Sequence, residues 1–374
     1  MIISLLLSIN GSANICQEIY FILDVSDYGT VRRLDKKMKS TGVTIADVAR
    51  EAGVSPMTVS RSLREPARVS AKSRERIAEV IERLGYVPDP AARALAAGRT
   101  NVIGVIIPSV TNNVFSDVMR GIYGVIENSP WQVQLGNSRY VAETEEALTR
   151  TFLSQRPAGL IVSGVDQTRK TRELLINAPC RVVQIMELGE APIDMMVGFS
   201  HREAARVATQ HLFDKGYRRP AFLAARVDPR TKRRMAGFED VVRTAGVFDP
   251  SRILATSVPS SAALGRTLMA ELLDNAPHTD AVLCNNDDLA LGALFECLHR
   301  GIDVPNAIGI CGFNDLEMMA VAYPTVTSVK TYREEMGRIA ATMILQTLKG
   351  IEPEEPVVDL GFDVMSRQST AKLL

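Results

Sequence analysis

Residues 44–109, TIADVAREAGVSPMTVSRSLREPARVSAKSRERIAEVIERLGYVPDPAARALAAGRTNVIGVIIPS, decide how the rest of the chain is read. Thr44-Ile-Ala-Asp47 opens as a capping box: a hydroxyl caps a helix and a carboxylate three residues on reaches back. Ile45, Val48, Ala49 and Ala52 follow at helical spacing, and Gly53 stands where a helix stops. Ser55-Pro56 restarts a helix at once, with Ser as N-cap and Pro at the first helical position. Val59 and Leu63, one turn apart, face inward. Two short helices separated by Gly53-Val54 make a helix-turn-helix, whose second helix enters the major groove of DNA. Its exposed face offers Ser55, Met57, Thr58, Ser60 and Arg61. Hydroxyls hold phosphates, Arg takes a guanine bidentately, and Met makes only apolar contact. Taken alone, the same pattern also serves as a helical hairpin in a core. A third helix starts at Ser70 and ends at Gly85, followed by the rigid linker Tyr86-Val-Pro-Asp-Pro90. The Ala-rich piece after it is too short to be stable as an isolated helix, so it folds only when docked on DNA or on a partner chain.

Working outward, 374 residues predict two or three domains. A hydrophobic fraction of 46% with 23% charged residues is globular, which excludes wholesale disorder. Net charge is zero but graded: −3 over 1–30, +4 over 31–40, +3 over 41–100 and −4 over the remainder. A small basic head on a mildly acidic body fits a nucleic-acid contact at one end, and equally a solvated helix face. No stretch reaches the roughly 18 apolar residues of a membrane span. Five cysteines, at 16, 180, 284, 297 and 311, form no CxxC pair, which fits a reducing cytoplasm. The four histidines, at 201, 211, 278 and 299, form no metal-binding pattern, so neither a metal nor a cofactor is expected. Residues 1–40 lack steady periodicity and a positive signal-peptide start. They read either as a poorly ordered arm or as upstream sequence, with translation beginning near Met38.

From 101 onward, short apolar runs alternate with amphipathic helices. NVIGVII, WQVQLGN, GLIVSG, PAFLAA, DAVLCNN and AIGICGF read as strands, with helices over 115–127 and 144–155 among them. Alternation of this kind builds parallel sheets with helices on both faces, and about 270 residues exceed one comfortable sheet. No G-x-G-x-x-G, P-loop or G-x-S-x-G motif is present, so dinucleotide, nucleotide and hydrolase chemistry are unsupported. Neither a nucleophile–base pair nor a metal set appears, and the chain is not read as an enzyme.

Over Thr44–Ser109, and onward to its end, the sequence resembles the lactose-repressor family of bacterial transcription factors. The resemblance implies an all-α helix-turn-helix DNA-binding head and an α/β periplasmic-binding-protein-like body of two parallel-sheet lobes. It places the head at 41–87, a hinge and linker at 88–100, and the effector-binding and dimerisation domain at 101–374. One lobe then holds about 101–199 and 332–358, the other about 200–331 and 359–374. It implies that Pro56, Met57 and Arg61 read bases while Thr44, Ser55, Thr58, Ser60, Ser70 and Ser73 hold phosphates. Leu95 would wedge into the minor groove, with Ala92 small enough to let two hinge helices pack. Pro-Met at the first two reading positions departs from the family's hydrogen-bonding pair, which shifts base choice toward Arg61 and DNA shape.

In open α/β sheets ligands sit beyond the carboxyl ends of strands. Those ends carry Ser109, Asn112 and Phe115; Ser163 and Asp166; Arg226, Arg230 and Arg234; Asn286 and Asp287; and Asn314. Most strand-end polar residues in any α/β protein are caps and turns, and Asn286 reads equally as an N-cap. The resemblance makes Arg234, Asn286 and Asn314 ligand positions. The family often has Asp where Asn314 stands, and its loss beside Arg226, Arg230 and Arg234 favours an anionic ligand. AARVDPRT, VGFSH and VVDLGF resemble the gluconate-utilisation repressor branch, so the expected effector is a sugar acid, gluconate or a related aldonate. The whole reading is a cytoplasmic homodimer on a pseudo-palindromic double-stranded operator, released by that effector. A corepressor-type or neutral-sugar-responsive regulator is the alternative within the family. A sugar-binding protein without DNA function would carry a signal peptide and no basic head.

Overall fold

Two left-handed glycines punctuate the head. The computed structural model describes residues 42–88 and 98–372, divided into two compact units at Pro88 and Asp89. Helix α1 (Ile45–Ala52) opens on the expected box: Asp47 N–H donates to Thr44 Oγ1 at 3.3 Å, and Thr44 N–H donates to Asp47 Oδ2 at 3.0 Å. Gly53 closes it at φ 63°, a conformation that costs a side-chain-bearing residue but not glycine. Helix α2 (Pro56–Arg64) is capped by Ser55, and α3 (Ala71–Leu84) by Ser70, ending at Gly85 at φ 61°. Val48, Ala49, Ala52, Val59, Ile77 and Val80 form the core of the head. Leu63 is not part of it and stands 39% exposed, contrary to expectation. Helix α3 packs mainly along α1 and only lightly on α2, so among the described residues little covers the last turn of α2.

The body holds two six-stranded sheets. The first runs β11-β5-β4-β3-β1-β2, built from β1 (Val102–Ile107), β2 (Gln132–Asn137), β3 (Gly159–Ser163), β4 (Arg181–Ile185), β5 (Met195–Gly198) and β11 (Val357–Asp359). The second runs β12-β10-β9-β8-β6-β7, from β6 (Pro220–Ala224), β7 (Ile253–Ala255), β8 (Ala281–Cys284), β9 (Gly309–Asn314), β10 (Thr327–Thr331) and β12 (Phe362–Met365). Every pairing is parallel except β10 with β12. The central strands are near-continuous apolar runs buried on both faces, as parallel strands between helices must be. The helices are α4 (Asn113–Ile126), α5 (Ala142–Ser154), α6 (Arg169–Ile176), α7 (His201–Asp214), α8 (Pro229–Thr244), α9 (Ala262–Asn275), α10 (Asp287–His299), α11 (Glu317–Val321) and α12 (Arg333–Leu348).

The chain passes between the lobes three times: after β5, between β10 and α12, and between β11 and β12. After the second passage α12 returns to pack on α4. That crossing is set by two glycines. A Cβ on Gly121 would lie 1.9 Å from the Glu334 carbonyl oxygen, and one on Gly337 would lie 2.0 Å from that of Val118. No helix among the described residues is long and apolar enough to cross a membrane. The extension at 1–40 and the hinge positions Ala92 and Leu95 lie outside the described residues.

Candidate functional site

On the head, Ser55, Pro56 and Met57 are exposed at the start of α2, with Met57 at 60%, and Arg61 is exposed further along it. Thr58 and Ser60 are half-buried on the same helix. Ser55 Oγ accepts from Thr58 N–H at 3.1 Å and shares a hydroxyl contact with Thr58 Oγ1 at 2.9 Å. Thr44 and Ser70 are exposed caps, and Ser73 pairs with Ser70 at 2.9 Å. The charges of α1 are neutralised locally, Arg50 by Asp47 and Glu51 by Arg83. Arg61 holds no ion pair among the described residues. The outward side of α2 therefore offers the cations Arg61 and Arg64, the hydroxyls of Ser55, Thr58 and Ser60, and the apolar tip of Met57.

On the body, the strand ends of both lobes converge on a cavity of about 70 Å³. Lobe one contributes Asn112, Val114, Phe115, Tyr140 and Met186. Lobe two contributes Arg226, Asp228, Arg230, Thr231 and Arg234 around the start of α8, with Ser260, Asn285, Asn286 and Asn314. Helix α8 presents its arginines by simple periodicity: Arg230 and Arg234 lie one turn apart, on one face. Asp228 caps the helix, accepting from Thr231 N–H at 2.8 Å, with Pro229 at the first position. Burial works to raise the Asp228 pKa, but Arg230 and the Thr231 N–H outweigh it, and the net shift is downward. Asp228 thus stays a carboxylate. Arg226 sits at φ 47°, a strained backbone for a non-glycine residue. Its guanidinium stacks 4.1 Å over the Tyr140 ring, across the cleft from the other lobe. Arg230 lies 5.8 Å from both the Tyr140 and Phe115 rings.

Arg234 is held from behind. Its Nε–H donates to His201 Nδ1 at 3.1 Å, Nη1–H donates to the Asn285 carbonyl, and the guanidinium lies 3.7 Å over Phe313. Burial pushes its pKa down to about 10, opposed by Asp228, and the group stays protonated at neutral pH. His201 is wholly buried, and burial, then Arg234 and Arg230, hold its pKa well below the usual histidine range. The ring is therefore neutral: Nε2–H donates to the Met186 carbonyl of lobe one at 2.8 Å, leaving Nδ1 to accept from Arg234. Asn314 is 4% exposed, and its Oδ1 has no hydrogen-bond partner among the described residues. A buried acceptor left open on a cavity is costly unless something fills it.

Seven of the eleven body positions expected from the sequence line the cavity: Asn112, Phe115, Arg226, Arg230, Arg234, Asn286 and Asn314. Four do not. Ser109 Oγ accepts from the Thr111 and Asn112 N–H groups and shapes the loop behind the site. Ser163 ends β3 with its hydroxyl buried and without a hydrogen-bond partner among the described residues. Asp166 is spent on a two-bond ion pair to Arg233 of the other lobe, at 2.7 and 2.8 Å. Asp287, the first residue of α10, points back into lobe two, where its carboxylate accepts from Ser328 Oγ at 2.6 Å and Leu316 N–H at 2.7 Å. Burial raises its pKa to about 7 against those two bonds. Sequence reading missed Tyr140, Met186, Asp228, Thr231, Ser260 and Asn285. Asp228-Pro229 carried an N-cap signal; Tyr140 and Ser260 carried none.

The larger hollows are of another kind. One, of about 590 Å³ beside α4 and α12, is an open groove with paired charges such as Arg338–Glu335 and Arg120–Asp117. No group of three or more potential metal ligands occurs among the described residues.

A helix-turn-helix head joined to a two-lobed body with a polar cleft defines a ligand-binding regulator of transcription. The sequence matches the model of bacterial regulatory proteins of the lacI family over 44–89 and that of the periplasmic binding protein-like domain over 209–370. It is 38% identical over 342 residues to the HTH-type transcriptional regulator GntR of Pseudomonas aeruginosa, covering 91% of this chain and all of that one. The structure is similar to that of a LacI-family transcriptional regulator from Silicibacter pomeroyi (TM-score 0.83, 36% identity, 88% of this chain and 99% of that one). It is also similar to a lac repressor dimer bound to operator and an anti-inducer (TM-score 0.76, 25% identity, 88% and 99%). The chain belongs to the lacI family: it is a DNA-binding transcriptional repressor, not an enzyme.

Proposed function

We propose that the protein is a homodimer that binds a pseudo-palindromic operator and is released from it by a sugar acid, gluconate or a related aldonate. The observation that carries the ligand class is the charge of the cleft: Arg226, Arg230 and Arg234 face one carboxylate, Asp228. A carboxylate ligand would relieve that excess through charge-assisted bonds, while a neutral sugar would leave it. The open Oδ1 of Asn314 suits a hydroxyl donor, which every aldonate carries several times over. The name GntR of the Pseudomonas relative and the resemblance to the gluconate-utilisation branch support the same class.

In the head, Pro56, Met57 and Arg61 would meet base edges, while Thr44, Ser55, Thr58, Ser60, Ser70 and Ser73 would hold phosphates. Ala92 and Leu95 would complete the contact in the minor groove. The lac repressor of similar fold is a dimer on its operator. On this chain Phe295, Leu298, Met318, Val321 and Tyr323 are exposed apolar side chains on or beside α10 and α11, the kind of surface a second copy covers. The protein would act in the cytoplasm, where its operator is.

The test is a thermal-shift and calorimetric panel of gluconate, 2-ketogluconate, galactonate, glucose and ribose, followed by operator titration with whichever binds. A ligand at 100 times its dissociation constant adds roughly 2.7 kcal/mol. Acids that shift the melting point and weaken operator binding fit the proposal. A shift with glucose or ribose alone would remove the sugar-acid assignment, and tighter operator binding with ligand would make the effector a corepressor.

A further inference from the structure

Arg333 is a cation in an improbable place. It is the first residue of α12, where the helix dipole is positive, and its side chain is only 7% exposed. Its Nε and Nη2 both donate to Asp117 Oδ2, at 3.0 and 2.7 Å, on α4 of lobe one. Its Nη1 donates to Thr331 Oγ1 at 3.0 Å and to the backbone carbonyl of Asn314. One guanidinium thus joins the end of β9 in lobe two, the end of β10 at the crossing, and α4. The Asp117 that receives it stands five residues after Asn112, which lines the cleft.

The Asn314 carbonyl belongs to a strained turn. Asn314 and Asp315 have φ of 108° and 56°, two successive non-glycine residues in the left-handed region. Such residues are costly and persist only where their surroundings fix them. Three ties hold the far side of the turn: Asp315 N–H to Ser328 Oγ at 3.1 Å, Leu316 N–H to Asp287 at 2.7 Å, and the Asp315 carboxylate to Arg367 at 2.6 Å. On the near side the Asn314 carbonyl accepts from Arg333, and its side-chain Oδ1 faces the cavity with no hydrogen-bond partner among the described residues.

We propose that Arg333 is a positioning residue of the cleft, which aims the Asn314 amide at the ligand and locks the β9 turn of lobe two to α4 of lobe one. The proposal rests on the cleft being the effector site. Arg333 touches no ligand itself; it acts through Asn314. Without it the carbonyl loses its donor, the left-handed turn relaxes, and the amide swings away. Glutamine, with two amide donors, cannot reach Asp117 and Asn314 together.

Two measurements on the full chain test this. In the ligand-free protein, hydrogen exchange at the Asp315 and Leu316 amides should be about tenfold faster or more in Arg333→Gln, the loss of one bond to a charged group. Exchange in the middle of α10 should not change. Asp117→Asn, a milder variant that keeps the guanidinium, should move the same two amides by less. Unchanged exchange in both variants overturns the proposal, whatever the effector is. The second measurement is gluconate calorimetry on a double-mutant cycle with Asn314→Gly, since glycine accepts φ 108° while deleting the amide. Arg333→Gln should weaken binding by about tenfold in the native background and add nothing to Asn314→Gly. An equal loss in both backgrounds would show a general structural role and overturn it. Failure of the unmodified chain to bind gluconate would overturn the sugar-acid reading alone, and the exchange result would still decide the role of Arg333.

Discussion

The head and the cleft are built by opposite rules. In the head, what a residue does is decided by its neighbours three or four places away: Thr44 by Asp47, Ser55 by Thr58, Ser70 by Ser73. In the cleft, the partners are far apart in sequence. Arg226 stacks on Tyr140, Arg234 bonds Asn285 and His201, and Arg333 bonds Asp117, 216 positions away. A local site can tolerate change elsewhere; a converging one depends on the fold of both lobes. Substitutions should separate the two, and the largest separation is expected at Arg61. Arg61→Ala removes an exposed side chain with no ion pair among the described residues, so folding and ligand binding should be intact. Loss of a base-reading arginine costs roughly 1–3 kcal/mol per half-site. Two half-sites should lower operator affinity by about a hundredfold or more in a gel-shift titration. Retained affinity would move base reading to another part of α2.

Next in size is Asp287, which the sequence offers as a ligand contact and the structure makes an internal strut. Its pKa is raised to about 7, above that of an unfolded aspartate. Protonation is thus easier in the folded state, so its contribution to stability is greatest below about pH 4 and is lost as pH rises through 7. Asp287→Asn should remove this pH dependence, because the amide oxygen can still accept from Leu316 N–H and the NH₂ can donate to Ser328. Relative to the native chain, the variant should gain roughly 2–4 kcal/mol between pH 4 and pH 8, read by urea unfolding of the body. A variant that follows the native pH curve would show that Asp287 titrates normally. The head's unfolding should not respond.

Arg234 sharpens the comparison from the other direction. Arg234→Lys keeps a positive charge but cannot bond His201, Asn285 and a ligand at once. Sugar-acid binding should weaken about tenfold to a hundredfold, the cost of one or two charged hydrogen bonds, with operator binding in the absence of ligand unchanged. Normal release from operator in this variant would take Arg234 out of the site.

These differences also explain how much could be read in advance. The helix-turn-helix was legible because caps, proline at the first helical position and left-handed glycines are local signals. Leu63 escaped because inward spacing on a helix does not say whether another helix lies opposite. The central strands were legible as apolar runs; β4, β5, β7 and β10 to β12 were not, being short or carrying polar residues such as Gln184 and Lys330. In the cleft, the arginines of α8 were found because they lie on one helix face after one strand. Tyr140, His201 and Arg333 owe their roles to crossings between the lobes, which no window of sequence contains. Asp166 and Asp287 lay at the right strand ends, but an opposing arginine and an internal serine claimed them.

The smallest effect tests whether the local rule is truly local. Thr44→Ala deletes the cap of α1 and one arm of its reciprocal box with Asp47. Such a loss costs typically about 1 kcal/mol. Because Thr44 is also proposed to hold a phosphate, its removal should lower operator affinity severalfold without altering preference among operator sequences. Thr44→Ser restores the hydroxyl and should recover both properties. The decisive comparison is between units: calorimetric unfolding should show the head's transition move down by several degrees while the body's transition and its shift with gluconate stay fixed. A body transition that moved with it would mean that the division at Pro88 does not insulate the cleft from the head, and that cap and cleft share one cooperative unit.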